Sequence, residues 1–361
     1  MSATAALSPA VAASRPWSPL RDFWRHLRRS PLAVAGGALL VILYLMALLA
    51  PFLAPYAESD IDRERFFHPP TPLHLRDAQG HWHSPFVYGT RAGLDQSYEV
   101  DASQRYPLRL FPRGAHYRLF GLVPCDRHLF GVDRPGRIFL LGADDTGRDV
   151  WTRLLYGAQV SLTVGLAVAV LSTAIGILLG LAAGFVKPVE GAVMRVMDGL
   201  MAIPGILLAI AAMAVTRASL TTVVVAITIP EVPRVVRLVR ALALTLREQL
   251  YVEAARAIGT RLPALLWRHV LPNMMAPLMV QATFVAASAV LIEAALSFLG
   301  VGVPGQTPSW GNMMAEGRNF VAVAFHIILY PGLLLACTVL AINLVGDGLR
   351  DALDPRLARQ L

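Results

Sequence analysis

Charge is what this sequence has least of. Only 16% of its 361 residues are Asp, Glu, Lys or Arg, where a soluble domain carries roughly a quarter. With 55% hydrophobic residues and a mean hydropathy of +0.54, that deficit argues against an ordinary soluble enzyme and for a chain built for a bilayer. Cysteine is nearly absent. Cys125 and Cys337 are the only two, the second inside an apolar run, so a disulfide framework is not expected and no redox compartment follows from them. Catalytic signatures are missing too: there is no HExxH, no GxSxG and no GxxxxGK[ST], hence no nucleophile elbow and no phosphate loop able to hydrolyse ATP unaided. The net charge of +8 does not indicate nucleic acid, because the arginines collect at the edges of apolar segments rather than in basic patches interleaved with aromatics.

Six apolar segments predict six transmembrane helices. The first, residues 31 to 56, is free of charge and long enough for a hydrocarbon core of about 30 Å; a cleaved signal peptide is the alternative, but about 30 residues precede the run, too many for the usual n-region. The others fall at about 154 to 186, 193 to 215, 219 to 240, 274 to 296 and 323 to 345. Six crossings put both termini on one side. Arginines 15, 21, 25, 28 and 29, then 247, 256, 261 and 268, then 350, 356 and 359 all fall on that side, which makes it cytoplasmic. The expected organisation is a cytoplasmic segment 1–30, a first helix 31–56, an extracytoplasmic insertion 57–153, a core 154–346 with a cytoplasmic loop at 247–273, and a cytoplasmic tail 347–361.

The insertion mixes prolines, glycines and aromatics with short alternating runs such as HYRLFGLV, which predicts a small irregular or β-containing lobe. His74, His81 and His83 lie in it without cysteines or carboxylates at ligand spacing, so they read as surface residues rather than metal ligands. Within the spans, Gly176, Gly180 and Gly184 place a small residue at every fourth position and invite close helix packing. Asp198, Glu293, Asn343 and Asp347 lie at span ends, where they either sit among headgroups or line a polar path or pair with another subunit. Glu231 differs: Pro230 and Pro233 flank it, so a locally opened helix is expected there. It either lines a gate or marks the exit of the fourth helix.

The stretch EAARAIGTRLPALLWRHVLPN, residues 253 to 273, is too short to cross a membrane and too apolar on one face to stand alone in water. It predicts two short helices hinged at Gly259, the second begun near Pro263 and ended by Pro272. The stretch resembles the EAA loop of the integral membrane subunits of bacterial ABC importers through Glu253, Ala254, Ala255 and Gly259, with Val270, Leu271 and Pro272 close to its hydrophobic ending. GADDTGRDVWTRLLYGAQVSL (142 to 162), EAALSFLGVGVPGQTPSWGNMMAEGR (293 to 318) and NLVGDGLRDALDPR (343 to 356) narrow the resemblance to the C-type permease subunit of dipeptide and oligopeptide importers, in its branch with a long extracytoplasmic loop. Ala143 and Thr152 depart from the commoner Thr and Ser, and the insertion at about 57 to 140 puts the substrate in doubt.

That resemblance implies an all-α polytopic membrane protein of the type I importer, MetI-like fold, in a bacterial inner membrane. It implies a homologous B-type permease subunit, two ABC ATPases that use ATP and magnesium, and an extracytoplasmic solute-binding protein as partners, with no cofactor bound by this chain. Glu253, Ala254, Ala255, Gly259, Leu265 and Leu266 would couple to an ATPase, with Trp267 beside them. Asp145, Gly147, Arg148 and Asp149 would form the outer approach to the second helix. Ser309, Trp310 and Gly311 would meet the binding protein, or else cap a turn and anchor at the interface. A gradient-driven transporter and a structural membrane anchor are the competing readings. The first is disfavoured because no inverted halves are visible.

Overall fold

The computed structural model describes residues 28, 30–77, 79–93 and 98–353; the expected N-terminal segment lies almost wholly outside them, as does the part of the expected tail beyond residue 353. The first helix, α1 (Pro31–Leu48), starts where the Ser30 hydroxyl accepts from the Ala33 amide and Pro31 sets the first turn. A one-turn helix, α2 (Ala50–Leu53), follows. The chain then leaves for the insertion and returns in α3 (Val150–Phe185), capped by Asp149. Beyond it come α4 (Lys187–Met201), α5 (Gly205–Ala214), α6 (Leu220–Leu246), α7 (Leu250–Ala257), α8 (Leu262–Leu265), α9 (Leu271–Phe298), α10 (Trp310–Gly317) and α11 (His326–Leu353).

Among the described residues, four rods are long and apolar enough to cross a membrane: α1, α3, the continuous Leu262–Phe298 and α11. The expected third span is not a straight helix. It breaks before Pro204, where α4 and α5 meet at 91°, because proline cannot continue the turn that precedes it. The fourth, α6, is unbroken for 27 residues, yet Glu231, Arg234, Arg237 and Arg240 keep its second half too polar to qualify by composition. Prolines 230 and 233 stay inside it, so the locally opened helix expected at Glu231 is not found.

The glycine stripe on α3 does what its spacing predicts, inside this chain. A Cβ on Gly180 would come within 2.5 Å of Val239, and one on Gly184 within 2.5 Å of Ala243, so both glycines let α3 and α6 touch backbone to side chain. Around that seam α3, α6 and α9 enclose the main core, with Val164, Ile227, Val235, Val239, Leu278 and Leu296 buried in it. A second core joins α1, α3, α10 and α11 around Leu43, Leu154, Trp310 and Ile327.

The insertion is β-structured, so the all-α description holds only for the membrane part. Strands β1 (His74–Arg76), β2 (Trp82–Ala92), β3 (Tyr98–Leu110) and β6 (Phe130–Val132) form an antiparallel sheet in the order β1-β2-β3-β6, and β4 (Arg113–Leu119) with β5 (Val123–Arg127) makes a separate hairpin. It is tied to the membrane part at α2, where the Leu129 amide donates to the Phe52 carbonyl at 2.7 Å and the buried His128 ring bonds the Ala54 carbonyl at 2.6 Å.

Candidate functional site

The loop between α6 and α9 presents the first candidate surface. In α7, Val252 and Ala255 turn inward to the core, while Glu253 and Ala254 are exposed. The helix ends at Gly259, whose φ of +82° is the left-handed value a C-terminal glycine supplies. Gly259 donates to the Arg256 carbonyl at 2.9 Å and Thr260 to that of Ala255 at 3.1 Å. No atom would crowd a side chain at 259, so backbone handedness alone calls for glycine there.

The second half departs from expectation. Pro272 does not end a short helix: α8 runs through a π turn at Leu266–Val270 straight into α9. The wider turn and the helix start at Leu271 accommodate a proline that has no amide to donate. The hinge at Gly259 therefore joins a short helix to one rigid rod that runs to Phe298. Leu265 is buried in the chain's own core with Ala255, and Leu266 is half-buried. Beside the exposed charges of Glu253, Arg256, Arg261 and Arg268, this loop exposes large apolar side chains: Leu250, Tyr251, Ile258 (84% exposed), Leu262 and Trp267 (73%). Its base is fixed to α3, where the Arg256 guanidinium lies 5.5 Å from the Phe185 ring centroid and Arg247 donates to the Gly184 carbonyl.

A second cluster forms at the start of α3. One Asp144 oxygen accepts from the Thr146 amide and hydroxyl and from the Arg148 amide; the other accepts from Arg148 Nε and Arg153 Nη1, both at 2.7 Å. Arg153, 2% exposed, also donates to Glu316 on α10, as does Arg148. Of the residues expected here, Gly147 (φ +78°) sits where a Cβ would overlap the Asp62 carbonyl, and Asp149 caps α3 through the Thr152 amide at 2.8 Å. Asp145 stands aside, 3.9 Å from Arg148. Sequence reading missed Asp144, Arg153 and Glu316 as the centre of the cluster. The four-residue step from Asp144 to Arg148 was visible; the 163-residue step from Arg153 to Glu316 was not.

The electrostatics follow from burial and pairing. Burial opposes the Asp144 charge, but Arg153 and Arg148 outweigh it and hold the carboxyl below the usual range. Asp145 lacks that support, and burial beside Asp144 raises it. Burial pushes Asp149 up to about 7 against its hydrogen bonds from Thr152. Asp144, Asp145 and Glu316 converge closely enough to suggest a cation site, yet two guanidinium groups already occupy that position.

Ser309, Trp310 and Gly311 are not on a docking surface. Ser309 and Trp310 are fully buried, and Gly311 is buried with them. Ser309 caps α10 by accepting from the Asn312 amide, and the Trp310 indole donates to the Leu154 carbonyl at 3.2 Å. The arrangement is the capped turn expected as the alternative to docking, and it locks α10 to α3.

Glu231 is 2% exposed and accepts from the Ser288 hydroxyl on α9 at 2.8 Å, with Arg234 Nη1 at 3.4 Å. Glu293 is fully buried, away from any headgroup, and accepts from Ser161 and Ser297, each at 2.8 Å. In the insertion, His83 does have a supporting carboxylate: Asp77 lies 2.9 Å from its Nε2 and 3.6 Å from His81 Nδ1, with Arg105 donating to the same group. The Asp77 amide donates to the His81 carbonyl and the His81 amide to the Asp77 carboxylate, which sequence spacing did not reveal; His74 packs against Phe86 and Tyr88.

Comparison with known proteins identifies similar chains. Residues 172–359 match the family model "Binding-protein-dependent transport system inner membrane component", and residues 18–70 match "N-terminal TM domain of oligopeptide transport permease C". A putative peptide transport system permease protein of Brucella suis is 52% identical over 223 residues, 62% of this chain and 75% of that one. The di/tripeptide transport system permease protein DppC of Pseudomonas aeruginosa is 38% identical across 94% of this chain and 93% of its own. The glutathione transport system permease protein GsiD of Pectobacterium atrosepticum is 33% identical across 94% and 92%. A chain of the MetNI methionine ABC transporter, solved in inward-facing conformations, superposes with a TM-score of 0.47 at 20% identity, over 56% of this chain and 97% of that one.

Proposed function

The chain belongs to the family of binding-protein-dependent transport system inner membrane components, and from that membership we propose that it is the permease subunit of an ATP-driven ABC importer for peptides or related small solutes. It is not the catalyst: it has no phosphate loop, and ATP with magnesium is used by separate ATPase subunits. It forms half of the translocation path beside a homologous B-type permease subunit, in the bacterial inner membrane with both termini cytoplasmic. Six crossings follow if the bent α4–α5 pair and α6 join the four apolar rods, which is the MetI-like arrangement. An extracytoplasmic solute-binding protein delivers the cargo and sets much of its identity.

The observation that carries the mechanism is the exposed apolar face of the hinged loop. Leu250, Tyr251, Ile258, Leu262 and Trp267 are large apolar side chains that this chain leaves exposed, as an amphipathic helix does when its groove lies on another protein. Glu253, Ala254 and Gly259 border that face, while Ala255 and Leu265 anchor it to the core from behind. When two ATPases close on ATP, they push this element; because α8 continues into α9 and α7 is pinned to α3, the displacement reaches the helices around Glu231 and Ser288. A ligand can shift such an equilibrium only by its differential affinity for the two states. The test is reconstitution with the partner subunits. Glu253→Ala and Gly259→Val should leave the permease folded but abolish ATP-driven uptake, and unchanged uptake in both variants would overturn the assignment. The asymmetric arrangement of Asp144, Arg153 and Glu316 has a separate role, holding the insertion's exit against α10 so that the outer end of α3 moves as one body with it.

A further inference from the structure

The β4–β5 hairpin ends in an apolar tip that nothing else in the described chain covers. Its three-residue turn takes left-handed backbone at Phe120 (φ 55°) and Gly121 (φ 71°). Phe120, Leu122 and Val123 are all exposed, Leu122 at 83%. Such a run in water is an aggregation hazard. Directly behind it Arg118 is exposed. Arg109 and Arg113 are paired with Asp133 and Asp126, but no carboxylate among the described residues pairs with Arg118.

The place of the tip says what covers it. A cavity of about 500 Å³ separates it from the membrane helices, lined by Arg118 and Phe120 on one side and by Tyr44, Leu48, Leu162 and Thr163 on the other. Tyr44 and Leu48 are exposed side chains in the last turns of α1, an apolar helix of 18 residues, about 27 Å long at 1.5 Å per residue. The tip therefore lies beside the last turns of α1, and its exposed apolar side chains continue the exposed apolar surface of that helix. An exposed aromatic and leucine beside an apolar helix, with an exposed arginine two residues before the aromatic, is the chemistry of an interfacial element.

We propose that the β4–β5 hairpin is a membrane anchor of the insertion. Phe120 and Leu122 seat in the leaflet that borders the lobe, an acyl chain fills the cavity against Tyr44 and Leu48, and Arg118 binds a phospholipid phosphate. The anchor fixes the height of the lobe over the bilayer, and it requires only that α1 spans the membrane.

The experiment uses the full chain in nanodiscs of phosphatidylethanolamine and phosphatidylglycerol. Cys125→Ser, Cys337→Ser and Leu122→Cys place one environment-sensitive fluorophore at the tip; Leu122 is exposed, so the label does not disturb the core. Strong quenching by doxyl-labelled lipid and loss of quenching by aqueous iodide are expected with this chain alone. Adding Arg118→Gln should reduce the lipid quenching more in discs containing the anionic lipid than in discs without it. Quenching by iodide and not by lipid would overturn the proposal. So would a probe that is shielded only once a second permease subunit is present, since the tip would then be a protein contact.

Discussion

Removing the Arg153 guanidinium tests the cluster at the start of α3 most directly. In Arg153→Met the chain keeps most of its packing volume but leaves Asp144, 1% exposed at its side chain, and Glu316, at 26%, without the group that joins them. Arg148 remains, at 2.7 Å from Asp144 and 3.1 Å from Glu316, so one cation then faces three carboxylates, Asp145 included. Breaking a buried pair by deleting one partner costs about 3–5 kcal/mol, because the other charge stays desolvated. For a chain of this size that is on the order of 5–15 °C in apparent Tm. The assay is thermal unfolding in nanodiscs of a Cys125→Ser chain, read by a thiol-reactive dye as the half-buried Cys337 becomes fully accessible. Asp144→Asn with Arg153→Met should recover part of the loss, and the departure from additivity measures the coupling. Arg153→Lys should recover less, because an ammonium cannot bridge both carboxylates in a planar fork. A Tm for Arg153→Met indistinguishable from the parent's would refute the view that this pair holds α3 to α10.

Three further outcomes follow from the same structure. Asp149 stays protonated to about pH 7 in the folded chain, whereas an unfolded aspartate ionises near about 3.9. Its contribution to stability is therefore fully present below about pH 4 and lost as pH rises to about 7; Asp149→Asn, which can still cap α3, should flatten that part of a Tm-against-pH profile. Gly180→Val should overpack the α3–α6 seam against Val239 and cost about 1–3 kcal/mol, seen as a lower Tm, while a neutral result would contradict the close approach. Trp310→Ala should destabilise by about 3–5 kcal/mol, since the ring is fully enclosed; a docking residue on an open surface would instead leave Tm unchanged and weaken only binding-protein association.

Legibility in the sequence tracked the range of the physics involved. The start of the first span, the β character of the insertion, the left-handed Gly259 and the packing role of the α3 glycines could all be read locally, because hydropathy, alternation and glycine spacing act within a few residues; that the first helix ends at Leu48 and not at 56 could not. The bend at Pro204 and the passage through Pro272 could not. Both are prolines beside helical segments, and what separates a 91° break from an absorbed π turn is what the following residues pack against. The same holds for Trp310. Its tripeptide looks like a surface loop in the sequence, and it is buried only because α3 passes over it.

Composition and periodicity alone determined that this chain belongs in a bilayer, that it carries no phosphate-loop motif, and that an amphipathic hinge interrupts its later helices, since each depends on residue type and order. Tertiary structure decided which face of that hinge is free, which arginine joins Asp144 to Glu316, and which glycines meet which valines. Those are encounters between residues dozens to well over a hundred positions apart, and only the folded chain brings such groups within the few ångströms over which hydrogen bonds, ion pairs and packing operate.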